Sequence, residues 1–204
     1  MQMEAQRPVR RSRAEQQALT RGRLLASAES AIARFGYGGA SVDVIAAEAG
    51  LSKGAIYSNF ATKEDLFLEL LRLNMERDME ALEKIVELEP KELYQAISQW
   101  LATMHSESDC PVLATELQLQ ARRSPEFAEH YYALQEQQIR TLARILRAYF
   151  KVSAADLPID AADLAACIIA LAHGLSLQRP MGKSRSRSQA GRVIDELLQV
   201  LLTK

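Results

Sequence analysis

Two short helical segments joined by a glycine turn constrain this chain more than any other feature. Ser41 can cap a helix over residues 42–49, Ser52 can cap a second over residues 53–60, and Gly50 lies in the turn between them. Neither segment reaches the ~12–15 residues at which an isolated helix is marginally stable in water. Both therefore need a third element to pack against. Two such helices joined by a turn containing glycine form the helix-turn-helix pattern, and the turn favours glycine because a Cβ would clash there.

The preceding segment supplies the third element. Ser12 and Glu15 match the S-x-x-E capping box, which predicts a helix start. The glycines that follow at residues 36, 38 and 39 predict its end, because glycine accepts the left-handed conformation of a helix C-cap. Apolar residues recur at helical spacing here and in both short segments. We expect one small core formed by Leu25, Ile32, Phe35, Ile45, Leu51, Ile56 and Phe60.

The rest of the chain also has helical periodicity, interrupted by proline and polar breaks. Thr62 and Asp160 are candidate helix caps, and prolines 90 and 125 fit the first helical position. The pattern predicts an all-α fold of about nine helices without an internal repeat. The six helices after the helix-turn-helix are expected over residues 62–89, 90–106, 110–123, 125–151, 160–177 and 187–202.

Composition narrows the class of protein. The chain has 204 residues, of which 48% are hydrophobic and 25% are charged, as in ordinary globular proteins. Its longest apolar run, at 164–172, has 9 residues, far short of the roughly 20 that cross a bilayer. The N-terminus lacks the apolar stretch of a secretory signal, and the two cysteines form no C-x-x-C pair. We expect a cytoplasmic protein with no membrane partner.

The charges are unevenly distributed along the chain. Residues 1–63 carry 9 Lys/Arg against 5 Asp/Glu, whereas residues 64–204 carry 16 against 21. A basic first third followed by an acidic remainder indicates that one end of the protein meets a polyanion. A solvated charged face would produce the same bias, so the charge alone leaves both interpretations open.

Residues 20–70 carry a set of small, apolar and polar positions: Gly36-Tyr37, Ser41-Val42, Ile45-Ala46, Ala49-Gly50-Leu51-Ser52, Gly54, Ile56-Tyr57, Phe60 and Lys63-Glu64. At these positions the segment, about a quarter of the chain, resembles the DNA-binding domain of TetR-family transcriptional regulators. The departures are Ser27, where a small apolar residue is usual, and Phe35, where a polar one is common. The resemblance implies a DNA-binding helix-turn-helix domain over residues 1–63, with a basic N-terminal arm over 1–19. It implies a helical ligand-binding and dimerisation domain over residues 64–204.

The polar and small residues left outside the small core are the candidate DNA contacts. Helix N-termini, hydroxyl groups and lysines are the groups that hold phosphates. Capping alone would also account for the two serines, and a buried ring would account for the tyrosine. The resemblance implies phosphate contacts for Ser41, Tyr57 and Lys63. It implies base-edge contacts for Lys53, Gly54 and either Ser58 or Asn59. Together with Ser52 at the second helix N-terminus, these residues are the predicted DNA-binding set.

One recognition helix reads few base pairs, so useful specificity normally needs two half-sites and a dimer. By analogy with the family, the last two helices of each subunit form a four-helix interface. The same apolar positions would serve as core in a monomer. The predicted interface residues are Leu164, Ile168, Leu171, Leu175, Ile194, Leu197, Leu198 and Leu201.

The middle helices carry a candidate ligand pocket. Aromatic and Met side chains with a few polar groups are typical of small-molecule pockets, although ordinary core explains each residue equally well. The resemblance implies an unknown small-molecule inducer, and the residue types favour a largely apolar or aromatic one. The predicted pocket residues are Trp100, Met104, His105, Leu113, Glu116, Leu117, Gln120, Phe127, Tyr131 and Gln135.

The resemblance implies a repressor that a small molecule releases from a palindromic DNA operator; activation stays open. The three histidines are scattered, and no HExxH, GxSxG, P-loop or dinucleotide motif occurs. We therefore expect no enzyme activity, no cofactor and no metal. The alternatives are an enzyme, a redox or metal sensor built on Cys110 and Cys167, and a helical scaffold independent of nucleic acid.

Overall fold

A computed structural model describes residues 12–103, 110–152, 159–178 and 188–202, which form nine α-helices and no strand. The predicted all-α fold is confirmed. The third helix ends at Tyr57, three residues earlier than expected, and the fourth ends at Val86. The pocket candidates Met104 and His105, and residues 1–11 of the basic arm, lie outside the described residues. The helices are α1 (Arg13–Gly39), α2 (Val42–Ala49), α3 (Lys53–Tyr57), α4 (Lys63–Val86), α5 (Pro90–Thr103), α6 (Cys110–Ala121), α7 (Pro125–Val152), α8 (Ala161–Leu177) and α9 (Gln189–Leu202).

The chain divides into two compact units, unit 1 (Met1–Leu66) and unit 2 (Phe67–Lys204). Unit 1 contains α1, α2, α3 and the first residues of α4, and unit 2 contains the rest of α4 and the five later helices. Within the described ranges, no helix is long and apolar enough to cross a membrane.

Local signals determine where the helices of unit 1 begin and end. The capping box is confirmed: the Glu15 amide donates to Ser12 Oγ at 3.2 Å, and the Ser12 amide donates to Glu15 Oε2 at 2.7 Å. The helical conformation of α1 breaks at Gly36, whose φ is 67°. Gly50 closes α2 with φ 61° and ψ 38°, so its predicted need for glycine is confirmed. Only glycine adopts this left-handed conformation without appreciable strain.

The core of unit 1 forms where α1 packs against α2 and α2 packs against α3. Phe35 is a correction to the expected core, because its side chain is 46% exposed. It lies at the end of α1, beside the break at Gly36, and the Arg34 guanidinium covers its ring at 4.6 Å from the centroid. Leu25 and Leu51 are half-buried. The buried apolar residues are Leu24, Ala28, Ala31, Ile32, Ala40, Ile45, Ala46, Ala49, Ile56, Phe60 and Leu66.

Unit 2 is a bundle in which α5 packs on α9, α7 packs on α6 and α8, and α8 also packs on α6 and α9. Helices α5 and α9 approach each other closely, because a Cβ at Gly191 would lie 1.6 Å from the Leu101 carbonyl oxygen. The adjacent chain is fixed by Ser188, whose amide donates to the Ala102 carbonyl at 2.8 Å. The Ser188 hydroxyl accepts from the Gly191 amide at 3.0 Å and so caps α9.

We predict that Gly191→Ala destabilises the protein by about 2 kcal/mol or more, because the methyl group would displace α9 from the backbone of α5. Gly174→Ala is the matched control: it lies in α8, and a Cβ there would meet no atom within 4 Å. The control should be neutral or more stable by up to about 1 kcal/mol, since alanine favours helix. Urea unfolding of both variants measures the difference; equal stabilities would contradict the close approach of α5 and α9.

Candidate nucleic-acid interface and ligand cavity

Both helix N-termini of the helix-turn-helix are capped by the predicted serines. Ser41 Oγ accepts from the Val44 amide at 3.3 Å, and Ser52 Oγ accepts from the Ala55 amide at 3.2 Å. Ser41 is half-buried and Ser52 is exposed. The remaining amides of each first turn, together with the helix dipole, give these two ends a partial positive charge.

The outer face of α3 carries most of the predicted DNA-binding set. Ile56 is fully buried and anchors the opposite face, whereas Tyr57 exposes 56% of its surface. Tyr57 is therefore a surface residue and does not have the buried ring that was its alternative interpretation. The other exposed members are Ser52, Lys53, Gly54 and Ser58.

The Asn59 side chain is half-buried and does not project from the exposed outer face of α3, where a side chain would contact base edges. Its Nδ2 donates to the Ala55 carbonyl at 2.8 Å, and its Oδ1 is buried without a hydrogen-bond partner. The side chain thus folds back on the C-terminal end of α3. This is a correction to the sequence-based set: of the two alternatives for base-edge contact, the exposed Ser58 is the one on the outer face.

Lys63 lies at the first position of α4, held against the end of α1 just beyond the break at Gly36. Its Nζ donates to the Tyr37 carbonyl at 2.6 Å and lies 4.2 Å from the centroid of the Tyr37 ring. The Tyr37 hydroxyl in turn donates to Glu64 Oε1 at 2.9 Å. Tyr37 therefore determines where the Lys63 ammonium stands and fixes the start of α4 within unit 1.

Two arginines of α1, absent from the sequence-based set, hold the helix-turn-helix in place. Arg23 Nη2 donates to the Ala49 carbonyl at the C-terminal end of α2, at 2.5 Å. Arg21 Nη1 donates to the Asn59 carbonyl just after α3 at 2.8 Å, and its guanidinium lies 4.2 Å from the Phe60 ring centroid. Their sequence signal was the basic stretch in α1, which does not by itself distinguish a scaffold contact from a DNA contact.

Lys53, the first residue of α3, forms an ion pair with Asp43 in the first turn of α2. Lys53 Nζ lies 2.6 Å from Asp43 Oδ1, and both side chains are more than half exposed. The hydrogen bond to Asp43 and the charge of this carboxylate raise the pKa of Lys53 above its ordinary value.

We predict opposite stability effects for alanine at the two glycines of this region. Gly50→Ala should cost about 1–2 kcal/mol, because an L residue is strained at a φ of +61°. Gly54→Ala should not destabilise the fold, since its Cβ would meet Ser52 Oγ at an ordinary 3.6 Å. Chemical unfolding of the two variants tests this; a destabilised Gly54→Ala variant would show that α3 is packed more tightly on this side.

A cavity lies inside unit 2, among residues of α4, α5, α7, α8 and α9. The volume of the cavity is about 70 Å³. The lining is mostly aliphatic, with the aromatic rings of Trp100 and Tyr149 and the polar side chains of Asp78, Gln138 and His173. Burial raises the pKa of Tyr149 to about 12, so the phenol is neutral at physiological pH.

Trp100 is the one residue of the predicted pocket set that lines this cavity. The other described members lie outside this cavity, and several of them are packed together. Phe127 stacks on Tyr131 with centroids 6.3 Å apart, and the Tyr131 hydroxyl donates to the Ala114 carbonyl at 3.1 Å. Gln135 Nε2 donates to this hydroxyl at 2.9 Å. Leu113 and Leu117 are buried, and Glu116 and Gln120 are half-buried.

The predicted interface positions on α8 and α9 divide into two groups. Leu164, Ile194 and Leu198 are at most 7% exposed and belong to the core of unit 2, which corrects their assignment. Ile168, Leu171, Leu175 and Leu201 are partly buried against this core. Leu197, with its neighbour Val200, remains on the surface, exposed by 49% and 59%.

The described part of unit 2 also bears on the sensor alternative. Cys167 is a free, exposed thiol on α8, while the Cys110 side chain lies outside the described atoms. Among the described residues, no group of three or more His, Cys, Asp or Glu side chains is arranged to hold a metal ion.

Two family models match the sequence, one mainly within unit 1 and one within unit 2. Residues 24–70 match the model for bacterial regulatory proteins of the tetR family. Residues 89–203, more than half of the chain, match the model for the C-terminal part of BetI-type transcriptional repressors. No curated protein matches the sequence.

Solved structures share the fold over nearly the whole chain. A transcriptional regulator from Rhodococcus sp. RHA1 is 26% identical, with a TM-score of 0.67 over 90% of this chain and 96% of that one. A protein described as a TetR-family regulator, from Mesorhizobium loti, is 18% identical, with a TM-score of 0.68 over 95% and 98%. A protein described as a regulator, from Saccharomonospora viridis and in complex with choline, is 22% identical, with a TM-score of 0.66 over 89% and 96%.

A helix-turn-helix unit joined to a helical unit with an internal cavity is the architecture of one-component DNA-binding regulators. The chain belongs to the TetR family of transcriptional regulators. The resemblance seen in residues 20–70 is thereby confirmed, and members of this family are DNA-binding transcription factors and not enzymes.

Proposed function

We propose that this regulator is a repressor that binds a palindromic operator through unit 1 and leaves it when a small molecule enters the cavity of unit 2. The observation that carries the proposal is the exposed face of α3, flanked by two serine-capped helix ends, in the basic part of the chain. Residues 1–63 form the DNA-binding domain in this proposal. Residues 64–204 form the ligand-binding and dimerisation domain, and the protein works in the cytoplasm, where its DNA lies.

The proposed DNA contacts follow from the chemistry of each side chain. Ser41, Ser52, Tyr57 and Lys63 offer hydroxyl, amide and ammonium donors to phosphates. Lys53 can reach guanine O6 and N7. Gly54 lets the α3 backbone approach the bases because it carries no side chain, and Ser58 completes the base-reading face.

A homodimer is part of the proposal because a five-residue α3 contacts only one half-site. The exposed apolar side chains Leu177, Leu197 and Val200 on α8 and α9 support an interface there. The partly buried positions Ile168, Leu171, Leu175 and Leu201 adjoin that surface in the proposal.

The cavity supports control by a small, largely apolar molecule. Its aliphatic walls favour apolar groups, and its three polar side chains can orient a ligand. Helix α4 begins at Lys63 in unit 1, and its residues Met79 and Leu82 line the cavity. A ligand that displaces this helix changes the position of the DNA-binding surface. The coupling is reciprocal, so the operator must weaken ligand binding by the same factor. Because the S. viridis protein binds choline, choline belongs among the first probes.

Genomic selection tests the DNA-binding part of the proposal. The purified protein is mixed with sheared DNA from its source organism, with and without cell extract, and bound fragments are sequenced. We expect one palindromic site to be enriched and the enrichment to be lost when the extract supplies the ligand. The absence of any enriched site at low salt would refute DNA recognition. Enrichment that the extract increases would contradict release by the ligand and would instead indicate that the ligand promotes DNA binding.

We predict that two lysines have different effects on operator binding. Lys63→Ala should weaken binding to every sequence and lower the salt slope by about one unit, as expected for a lost phosphate contact. Lys53→Ala should change the preference among operator variants. Titrations at several salt concentrations against wild-type and altered operators measure both effects. Unchanged Lys63→Ala binding, or a uniform loss for Lys53→Ala, would contradict the assigned roles.

We predict that Ala172→Leu abolishes the response to ligand and preserves operator binding. Ala172 is buried at 4% exposure and lines the cavity, so a larger side chain occupies the ligand's space. Ala133→Leu, on the exposed surface of α7, is the control. Trp100 is the single tryptophan of the chain and lines the cavity, so its fluorescence should change on ligand binding. A full ligand response in Ala172→Leu would place the ligand elsewhere.

A further inference from the structure

An exposed ion pair spans the two helix ends of the proposed DNA surface. Lys53 Nζ is 2.6 Å from Asp43 Oδ1, and the two side chains are 57% and 67% exposed. Asp43 follows the Ser41 cap within the first turn of α2, and Lys53 directly follows the Ser52 cap of α3. The pair therefore joins the first turns of the two helices whose serine caps we assign to phosphate contacts, and both of its side chains are accessible to solvent and DNA.

The ion pair reduces the favourable binding free energy that Lys53 gains when it contacts a phosphate. In the free protein the ammonium already has an ionic partner, the Asp43 carboxylate. A phosphate that takes Lys53 leaves the Asp43 carboxylate facing a polyanion without its counter-ion. Like charges brought together at an interface are unfavourable and suppress incorrect partners. Non-specific DNA, which offers only phosphates to this lysine, is therefore opposed by Asp43.

The major groove offers a base arrangement that satisfies both charges. Guanine presents the acceptors O6 and N7 to lysine, and cytosine presents its N4 amino group to a carboxylate. Successive bases along a strand are about 3.4 Å apart. Because Lys53 Nζ and Asp43 Oδ1 are in contact at 2.6 Å, a base that Lys53 reaches and the base next to it lie within reach of both side chains.

We propose that Asp43 is a specificity-determining residue of the DNA-binding surface: it opposes binding of Lys53 to phosphates and is compensated at the operator by a cytosine amino group beside the guanine that Lys53 contacts. The inference rests on the proposed function, since it needs unit 1 to bind a specific site. Asp43 lies outside the predicted DNA-binding set, and its proposed role is to increase the selectivity for the operator over other DNA.

Asp43→Asn tests the proposal, with Glu48→Gln as the matched control. Glu48 also lies on α2 and forms an ion pair, with Arg34 of α1 at 2.6 Å, so both variants remove one negative charge and one ion pair from α2. Binding is measured for the selected operator and for a scrambled duplex at two salt concentrations. We expect Asp43→Asn to lower the ratio of operator to scrambled affinity about tenfold, mainly by tighter binding of the scrambled duplex. Glu48→Gln should change both affinities by the same factor.

Two further experiments test whether Asp43 acts through its pairing with Lys53. In a Lys53→Gln background, Asp43→Asn should have no further effect on the affinity ratio, because non-additivity identifies coupled residues. Selection from a library with randomised half-sites should show that Asp43→Asn loses the cytosine preference at one position and keeps the adjacent guanine. Asp43→Glu retains the charge and should keep most of the discrimination, which provides a second variant should the asparagine protein unfold.

The outcomes separate this inference from the proposed function. A wild-type protein that selects no site refutes the proposed function and the inference with it. A wild-type protein that selects a site, while Asp43→Asn and Glu48→Gln behave alike on both duplexes, overturns the inference alone. An unchanged base preference in the Asp43→Asn selection also overturns it.

Discussion

The DNA-binding unit depends on contacts from α1 to helices too short to be stable alone. α2 has 8 residues and α3 has 5, both below the ~12–15 that an isolated helix requires. Burial of Ile45 and Ile56 gives each helix one apolar anchor. The guanidinium of Arg23 satisfies a carbonyl at the end of α2, where a cation also complements the helix dipole. These contacts fix the relative orientation of the two serine-capped helix ends.

The arginine contacts also explain why a basic segment of α1 need not face DNA. Arg21 is held by the Asn59 carbonyl and the Phe60 ring, and Arg34 pairs with Glu48. Positive charge in unit 1 is thus used partly for scaffold contacts. The net charge of residues 1–63 indicates the sign of the partner, whereas the contacts determine which side chains are presented to it.

Features determined by neighbours in sequence were predictable here. The caps at Ser12, Ser41 and Ser52 and the left-handed turn at Gly50 depend on residues at most four positions away. Whether Phe35 is covered or Asn59 points outward depends on where other segments lie. The aromatic residues near the start of α7 are Phe127, Tyr131 and Tyr132. Their spacing in the sequence fits the wall of a cavity and a packed cluster equally well. The structure packs Tyr131 with its hydroxyl hydrogen-bonded inside the protein, and the cavity lies among other residues, with Trp100 as the shared position.

Amide hydrogen exchange tests the central claim, that the surface formed by α2, α3 and the start of α4 is the DNA interface. Exchange is followed by mass spectrometry in the free protein and with a saturating duplex that carries the selected site. We expect slower exchange in residues 41–63 on adding this duplex and a much smaller effect with a scrambled duplex. Protection confined to unit 2, with residues 41–63 unchanged, would contradict it.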